Sequence, residues 1–571
     1  MIQPDPTPRV PAITARGVNG AVVSPHALAS QAGLAILRAG GTAVDAAIAT
    51  NAALSVVSSY MCGLGGDAFW LIWPGEAHEP ALLALNGSGR SAIGATIEAV
   101  RAAGHERMPM RGPWSVTVPG AVCSWGDAHA RFGRLAWGDL FRPAIELAAG
   151  FPASAAWVGA VERSAALFGT ASDWASVFRP LGRAWLTGER VVLAPLGRTL
   201  TRLAEEGPEL LYSGAMAARA AYHLASVGSP IRQADLAAHS STWADPIRIS
   251  YRGIQVNAHP PNSSGAIALE LLGVLARFPS PEPANFGPTG MRDARWVHRA
   301  LEAARLTLAD RDTWLTDADA MAADALEILL DPDHWASLAA QIDPSRTLAA
   351  RALDAPAGGG TVYLATADRW GGAVSLIESN YAGFGSGIVD PETGIAYQNR
   401  GSFFSLDPQH ANALLPGKRT MHTLAPGMLF REGRPWIVHG SMGGEIQPQV
   451  FAQFVSAVVD GALDVASAVA IPRWAADVEE HYGAPSATRL EGRCERAVAE
   501  ALAVRGHAVK IGDDFDSSFG HEHAIEFVWH GPSSGGDRAE AQDGSGSPRP
   551  GAPMSFAATA DPRSEGLPAA Y

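Results

Sequence analysis

The chain has 571 residues, enough for several modules or one large sandwich, and its 47% hydrophobic content suits a globular protein with a sizeable core. Lys and Arg number 43 against 57 Asp and Glu, a net charge of −14 that argues against a general nucleic-acid binder. Cys62, Cys123 and Cys494 are too few and too far apart for a disulfide framework or a zinc-ligand spacing. No run approaches the ~18 apolar residues of a membrane span. The opening MIQPDPTPRVPAITARG lacks the apolar core of a secretory signal. The expectation is a cytoplasmic protein with no metal, no cofactor and no membrane or nucleic-acid partner.

In chain order, Pro25 to Arg38 reads as a helix stopped by Gly40 and Gly41. Thr42 is a plausible cap for a second helix, AVDAAIATNAALSVV, whose nearly all-round apolar surface predicts burial. CGLGGDAFWLIW reads as a glycine loop entering a strand from Ala68 to Trp73, and PALLALNGSG as a partner strand and turn. Between Val116 and Gly150, VTVPG and RLAWGDLFRPAIELAAG read as helical. Helical patterning continues to about Asp354 in HRALEAARLTLADRD and ADALEILL. PIRISYRGIQVNAHPPNSSG interrupts it with the alternation of a hairpin.

After Gly360 the texture changes to paired strands. TVYLATA and AVSLIES are joined by DRWGG, and MLF and PWIVHG flank REGR. SMGG then leads into a helix from about Glu445 to Val459, and HAIEFVWH returns to strand. Residues 532–553 form a low-complexity insertion expected to be mobile. Strands at both ends with helices between fit one sandwich better than two domains.

Gly358, Gly359 and Gly360 stand directly before Thr361. This pattern has two readings: a loop entering a strand, or a chain that cuts itself. A cut at Gly360–Thr361 would free an α-amine, of reference pKa about 7.7–8.0, beside the Thr361 hydroxyl. One residue would then supply both nucleophile and base. Gly443 and Gly444, in a loop before a helix, would either let an oxyanion approach backbone N–H groups or form an ordinary strand–helix turn. CGLGGDAF lacks the Lys-Ser/Thr of a phosphate loop, so its glycines read as packing residues. Lys418, Arg419 and His422 line an anionic-substrate site or a solvated basic turn. Asp310, Arg311 and Asp312 read as a surface charge cluster.

Several motifs in one order now carry a resemblance. GGTAVDAAIATNAALSVV, GLGGDAFWLIW, HPPNSSGAIALELL, LEAARLTLADRD, TVYLATADRWGGAVSLIESNYAGFGSGIVDPETGI, GSMGG and TADPRSEG span nearly the whole chain. Together they resemble the γ-glutamyltransferase family of N-terminal-nucleophile hydrolases. The resemblance implies an α+β fold, a four-layer αββα sandwich. It implies self-cleavage at Gly360–Thr361 into a large chain 1–360 and a small chain 361–571 that stay together. It implies Thr361 as nucleophile and α-amine base, Ser379 as its support, and Gly443 and Gly444 as the oxyanion hole.

The departures concern substrate. Where glutamyl-transferring members carry a carboxylate-binding arginine, this chain has Ser88, with Arg90 two residues on. Phe403 stands where they hold the α-amine with an acid, and His422 and Thr423 replace a serine pair. QNRGSFFSLDP and LLPGKRTMHTL look instead like an oxamate amidohydrolase-like subgroup, with cephalosporin-acylase-like members close by. A small acid amide is then the favoured substrate, with Arg400, Arg90 or His422 taking its carboxylate and Thr423 and Tyr381 completing the substrate residues. The alternatives are a γ-glutamyl hydrolase or transferase acting on glutathione or similar compounds, a cephalosporin-acylase-like amidase, and an unprocessed binding protein. The last is motivated by AGGG before the cut, where the family usually has polar residues. Oligomeric state stays open.

Overall fold

The computed structural model describes residues 12–75, 81–169, 172–348, 360–478, 487–529 and 553–571. Gly358, Gly359 and residues 532–552 of the expected insertion lie outside them. The hairpin after Gly360 organises the molecule. Strands Gly360–Asp368 and Ala373–Tyr381 pair antiparallel, with Thr361 opposite Ser379. Both strands are buried along their whole length, so both of their faces must be covered. Alternation divides the side chains between those faces. Val362, Leu364, Val374 and Leu376 pack with the helices Ala27–Arg38 and Ala43–Val57. Tyr363, Ala365, Ala367 and Ile377 point the other way, into a core shared with Met428, Phe430, Val438, Ile525 and Phe527.

Those last five residues belong to a second sheet. The first sheet runs Ala569–Ala570, Gly20–Val23, Gly360–Asp368, Ala373–Tyr381, Asp67–Trp73, Leu83–Gly87, Thr242–Ala244. The second runs Thr14–Gly17, Ser555–Thr559, Glu522–Val528, Arg434–Ser441, Gly427–Arg431, Ile254–Ala258, Ile247–Tyr251. Helices Gly265–Leu275, Ala294–Trp314 and Gln447–Val459 cover its outer face. The result is the expected four-layer αββα sandwich. Each large sheet mixes strands from before and after Gly360: Gly20–Val23 and Asp67–Trp73 flank the central hairpin. Among the described residues no helix is long and apolar enough to cross a membrane.

Local sequence explains most boundaries. Thr42 and Asp45 form a reciprocal capping box: the Asp45 N–H donates to Thr42 Oγ1 at 3.2 Å, and the Thr42 N–H to Asp45 Oδ2 at 2.9 Å. Three expectations are corrected. VTVPG is extended rather than helical, because the residue before Pro119 is pushed out of helical geometry; the helix starts afterwards, at Ala121. Arg311 is not on the surface. It follows Ala304 and Leu308 along the buried stripe of its helix and pairs with Asp312 at 2.7 Å and with Glu445. Lys418 and Arg419 are buried rather than solvated. Lys418 Nζ donates to the carbonyls of Ala411 and Ala413, and Arg419 Nε to that of Ser88 at 2.9 Å. Both cations therefore staple loops.

The closing TADPRSEG acquires a structural role. Buried Asp561 accepts from Arg473 at 2.6 Å, from Arg563 at 3.0 Å and from the Glu522 N–H at 2.7 Å. Glu491 takes the other arm of Arg563 at 2.5 Å. The two arginines hold the Asp561 carboxyl well below the usual carboxylate range.

Candidate active site

Thr361 is fully buried and shares the inter-sheet face with Tyr363, at the end of its strand. Its Oγ1 lies 2.9 Å from Ser379 Oγ, directly across the hairpin. Ser379 Oγ donates to the Gly360 carbonyl at 2.8 Å and accepts the Tyr381 N–H at 2.8 Å. Tyr381 adopts φ 72°, a costly conformation for a non-glycine residue, and turns its N–H back onto Ser379. Thr361 Oγ1 and Ser379 Oγ share a hydrogen bond in which either hydroxyl can be the donor. The carbonyl of Gly360–Thr361 is thus polarised by the same serine that orients the neighbouring hydroxyl. The strand is also irregular at this bond, where its register shifts between Gly360 and Thr361.

The chemistry open to this arrangement is an N-to-O acyl shift. Thr361 Oγ adds to the Gly360 carbonyl, the C–N bond breaks as the hydroxyl proton passes to the nitrogen and frees the Thr361 α-amine, and water then hydrolyses the resulting ester to release the Gly360 carboxylate and restore the Thr361 hydroxyl. A Ser379→Ala chain is expected to self-cleave about 100-fold more slowly, as when one oxyanion donor is removed. A time course of denaturing gels after expression checks this, and cleavage at the unchanged rate would remove Ser379 from the step.

The Gly443–Gly444 loop approaches from the second sheet. The strand Arg434–Ser441 passes Ser375, whose Oγ donates to the His439 carbonyl at 3.2 Å. One residue on, a Cβ at Gly440 would come 2.4 Å from the Tyr363 ring, so only glycine lets the two sheets meet there. Ser441 to Gly444 therefore continue toward the Thr361 end of the inter-sheet space. Gly443 has φ 142° and Gly444 φ 59°. Among the described residues neither of their N–H groups has a hydrogen-bond acceptor. Two free N–H groups on a glycine turn suit an oxyanion.

Arg400 stands on the other side of Ser379. It is 1% exposed, donates from Nη2 to Ser379 Oγ at 3.3 Å and from Nη1 to Thr423 Oγ1 at 3.2 Å. Its guanidinium sits 4.5 Å from the Tyr381 ring centroid and 5.1 Å from that of Phe403. Its Nε has no partner, and among the described residues no carboxylate pairs with it. Burial lowers its pKa only to about 10, so it remains a cation at neutral pH.

His422 lies alongside, fully buried, with Nε2 3.2 Å from Asp67 Oδ2. Burial, with Arg400 next, depresses its pKa well below 6.5, so the imidazole is neutral. Its Nδ1 has no partner. Where Asp67 is ionised, Nε2 donates to it and Nδ1 is a free acceptor; where Asp67 is protonated the roles reverse and Nδ1–H is a free donor. Arg90 is separately engaged. Its guanidinium pairs with Asp317 at 3.1 Å and Asp319 at 3.4 Å. Ser88 donates to Asn86 Oδ1 at 2.7 Å.

The structure thus brings Thr361, Ser379, Tyr381, Arg400 and Thr423 together, places His422 beside them and commits Arg90 elsewhere. Sequence reasoning missed Asp67. It is buried opposite Ser379 on the neighbouring strand, accepts the Gly89 N–H at 2.9 Å, and its pKa is pushed up to about 7 by burial against the pull of Arg400. Its signal lay inside CGLGGDAF, where it is the one charged residue among packing glycines. Glu378 was missed as well. Burial raises its pKa to about 8, and it accepts the Gly63 N–H at 2.8 Å, holding that loop against the hairpin.

A sandwich of two facing sheets, with a threonine at the end of a central strand behind a bond it can attack, defines an N-terminal-nucleophile hydrolase. The family model described as Gamma-glutamyltranspeptidase matches residues 29–547, and the chain belongs to that family. It is similar to the "Glutathione hydrolase-like YwrD proenzyme" of Bacillus subtilis (strain 168), 39% identical over 525 residues, 91% of this chain and 97% of that one. The "Oxamate amidohydrolase proenzyme" of Klebsiella pneumoniae subsp. pneumoniae is 37% identical over 523 residues, 89% of this chain and 94% of that one. The crystal structure of a cephalosporin acylase from Bacillus halodurans superimposes with TM-score 0.84 at 35% identity, covering 100% of this chain and 98% of that one. The chain is accordingly an enzyme, of a family whose relatives are proenzymes.

Proposed function

We propose that the chain cuts itself at Gly360–Thr361 and that the new N-terminal threonine hydrolyses a small amide carrying a carboxylate next to the scissile carbonyl, as oxamate does. In this reading the Thr361 α-amine takes the proton of Oγ as it attacks the amide carbon. Gly443 and Gly444 N–H groups hold the oxyanion, and the α-ammonium gives its proton to the departing amine. Water activated by the same amine then releases the acid from the Thr361 ester.

The observation that carries the substrate assignment is Arg400, a buried cation that no carboxylate among the described residues meets in a direct ion pair, Asp67 and Glu445 acting on it only from beyond contact distance. A buried unpaired charge is costly, and a substrate carboxylate would relieve that cost. Two hydrogen-bond links, through Ser379 Oγ, put its guanidinium within about 6 Å of Thr361 Oγ1. That reach suits a carboxylate bonded directly to the reacting carbonyl carbon. In a γ-glutamyl donor three more carbons intervene. The oxamate amidohydrolase relative supports the same class.

A second reading, an acylase with a larger substrate, is favoured by a cavity of about 720 Å³ lined by Arg107, Arg311, Phe403, Phe404 and Met421. Processed enzyme assayed for ammonia or amine release against oxamate, a γ-glutamyl anilide and an acyl-lactam separates the readings. Oxamate-type amides are expected to exceed the γ-glutamyl anilide by about 100-fold in kcat/KM. Preference for the anilide, or for the lactam, would overturn the assignment.

A further inference from the structure

Three side chains from three helices converge within the outer helical layer. Glu270 on Gly265–Leu275, Asp310 on Ala294–Trp314 and His334 on Pro332–Ala340 place their donor atoms within 4.8 Å of one another. His334 Nε2 is 2.7 Å from Asp310 Oδ2 and 3.3 Å from Glu270 Oε1. The Asp310 and His334 side chains are 17% and 23% exposed, and Glu270 is 0% exposed. The cluster therefore opens to solvent on one side and ends on a buried carboxyl on the other.

Glu270 is the feature that asks for a ligand. Its oxygens meet no well-formed donor, only His334 Nε2 at 3.3 Å from Oε1 and the Asp310 carboxyl beside it, and its helix is otherwise a buried run of Ala266, Ile267, Leu269, Leu271 and Leu272. A carboxyl group in apolar surroundings needs a partner. One imidazole N–H cannot serve two carboxylates, and Nε2 lies closer to Asp310. A second cluster, His298, Glu302 and His507, is different in kind. There the two rings bond each other at 2.8 Å, His298 bonds the Asp343 carbonyl at 2.7 Å, and Glu302 accepts from Arg305 and Thr347. Its hydrogen bonds already use those donors.

We propose that Glu270, Asp310 and His334 bind a divalent first-row transition metal ion, Zn²⁺ foremost, with solvent completing the coordination. One imidazole nitrogen and two carboxylates are suitable ligands for it. Metal–ligand distances of about 2.0–2.2 Å in a tetrahedron set ligand atoms roughly 3.3–3.5 Å apart; the His334–Glu270 separation of 3.3 Å meets this, and the His334–Asp310 pair, at 2.7 Å, must open by about 0.6 Å to admit the ion. The ion would tie three helices together. It would also steady Arg311, which follows Asp310 and pairs with Glu445 beside Gly444. The expectation of no metal rested on cysteine spacing, which is blind to carboxylate–histidine donors on separate helices.

The test uses the full-length protein, stripped with chelator, dialysed and titrated with Co²⁺ and then Zn²⁺. One equivalent of Co²⁺ is expected, with visible ligand-field absorption that Zn²⁺ abolishes, and Zn²⁺ should raise the thermal unfolding midpoint. Glu270→Gln and His334→Ala should each weaken binding by at least about 100-fold while keeping the native circular dichroism. Wild-type protein that takes up no stoichiometric Co²⁺ or Zn²⁺ would overturn the site, as would a folded His334→Ala chain that binds like wild type.

Discussion

A Thr361→Ala chain is expected to remain one uncut polypeptide and to lose amide turnover by at least about four orders of magnitude, the scale of losing a catalytic nucleophile. The substitution removes the hydroxyl that meets Ser379 at 2.9 Å and leaves the surrounding strand pairing in place. Thr361→Ser keeps the attacking oxygen, so it should retain both cleavage and turnover at reduced rate. The two readouts fail separately. Cleavage that survives in Thr361→Ala means a protease acts in trans. Turnover by an uncut chain means the nucleophile lies elsewhere. Because the hairpin is flanked by Gly20–Val23 and Asp67–Trp73, cutting before Thr361 should leave the two chains associated through both sheets.

The second large effect is expected at Arg400. Arg400→Met keeps much of the volume between Tyr381 and Phe403 and removes the charge. For an acid amide kcat/KM should fall about 100-fold, chiefly through KM, on the scale of a lost charged hydrogen-bonding pair. A neutral amide of the same size should change far less. Arg400→Lys keeps the charge without the planar fork and should fall between the two. Equal losses on acid and neutral amides would mean that Arg400 acts through Ser379 and leaves the substrate untouched.

Much of the scaffold could be read from local pattern. TVYLATA and AVSLIES alternate as strands and pair as expected, Thr42 caps its helix, and PIRISYRGIQVNA forms a hairpin. These features depend on near neighbours, which sequence patterning records. Thr361 drew notice through the glycines before it and Ser379 through the resemblance, and the structure sets their hydroxyls 2.9 Å apart.

What could not be read depends on register between distant segments. Asp67 stands opposite Ser379 only because Asp67–Trp73 pairs with the hairpin in one register, and a slip of one residue would turn Asp67 away. Arg311 meets Glu445 across 134 positions, so DRD taken alone looked like surface charge. Lys418 and Arg419 looked solvated because nothing local shows the carbonyls of Ala411, Ala413 and Ser88 that receive them.

In the proposed function the working nucleophile is a threonine exposed by the chain's own cleavage. Intact mass and N-terminal sequencing of purified wild-type protein, with amide turnover measured on the same sample, test it most directly. Two chains spanning residues 1–360 and 361–571, the smaller beginning Thr-Val-Tyr-Leu, are the expected result. A single undivided chain that hydrolyses amides would contradict it.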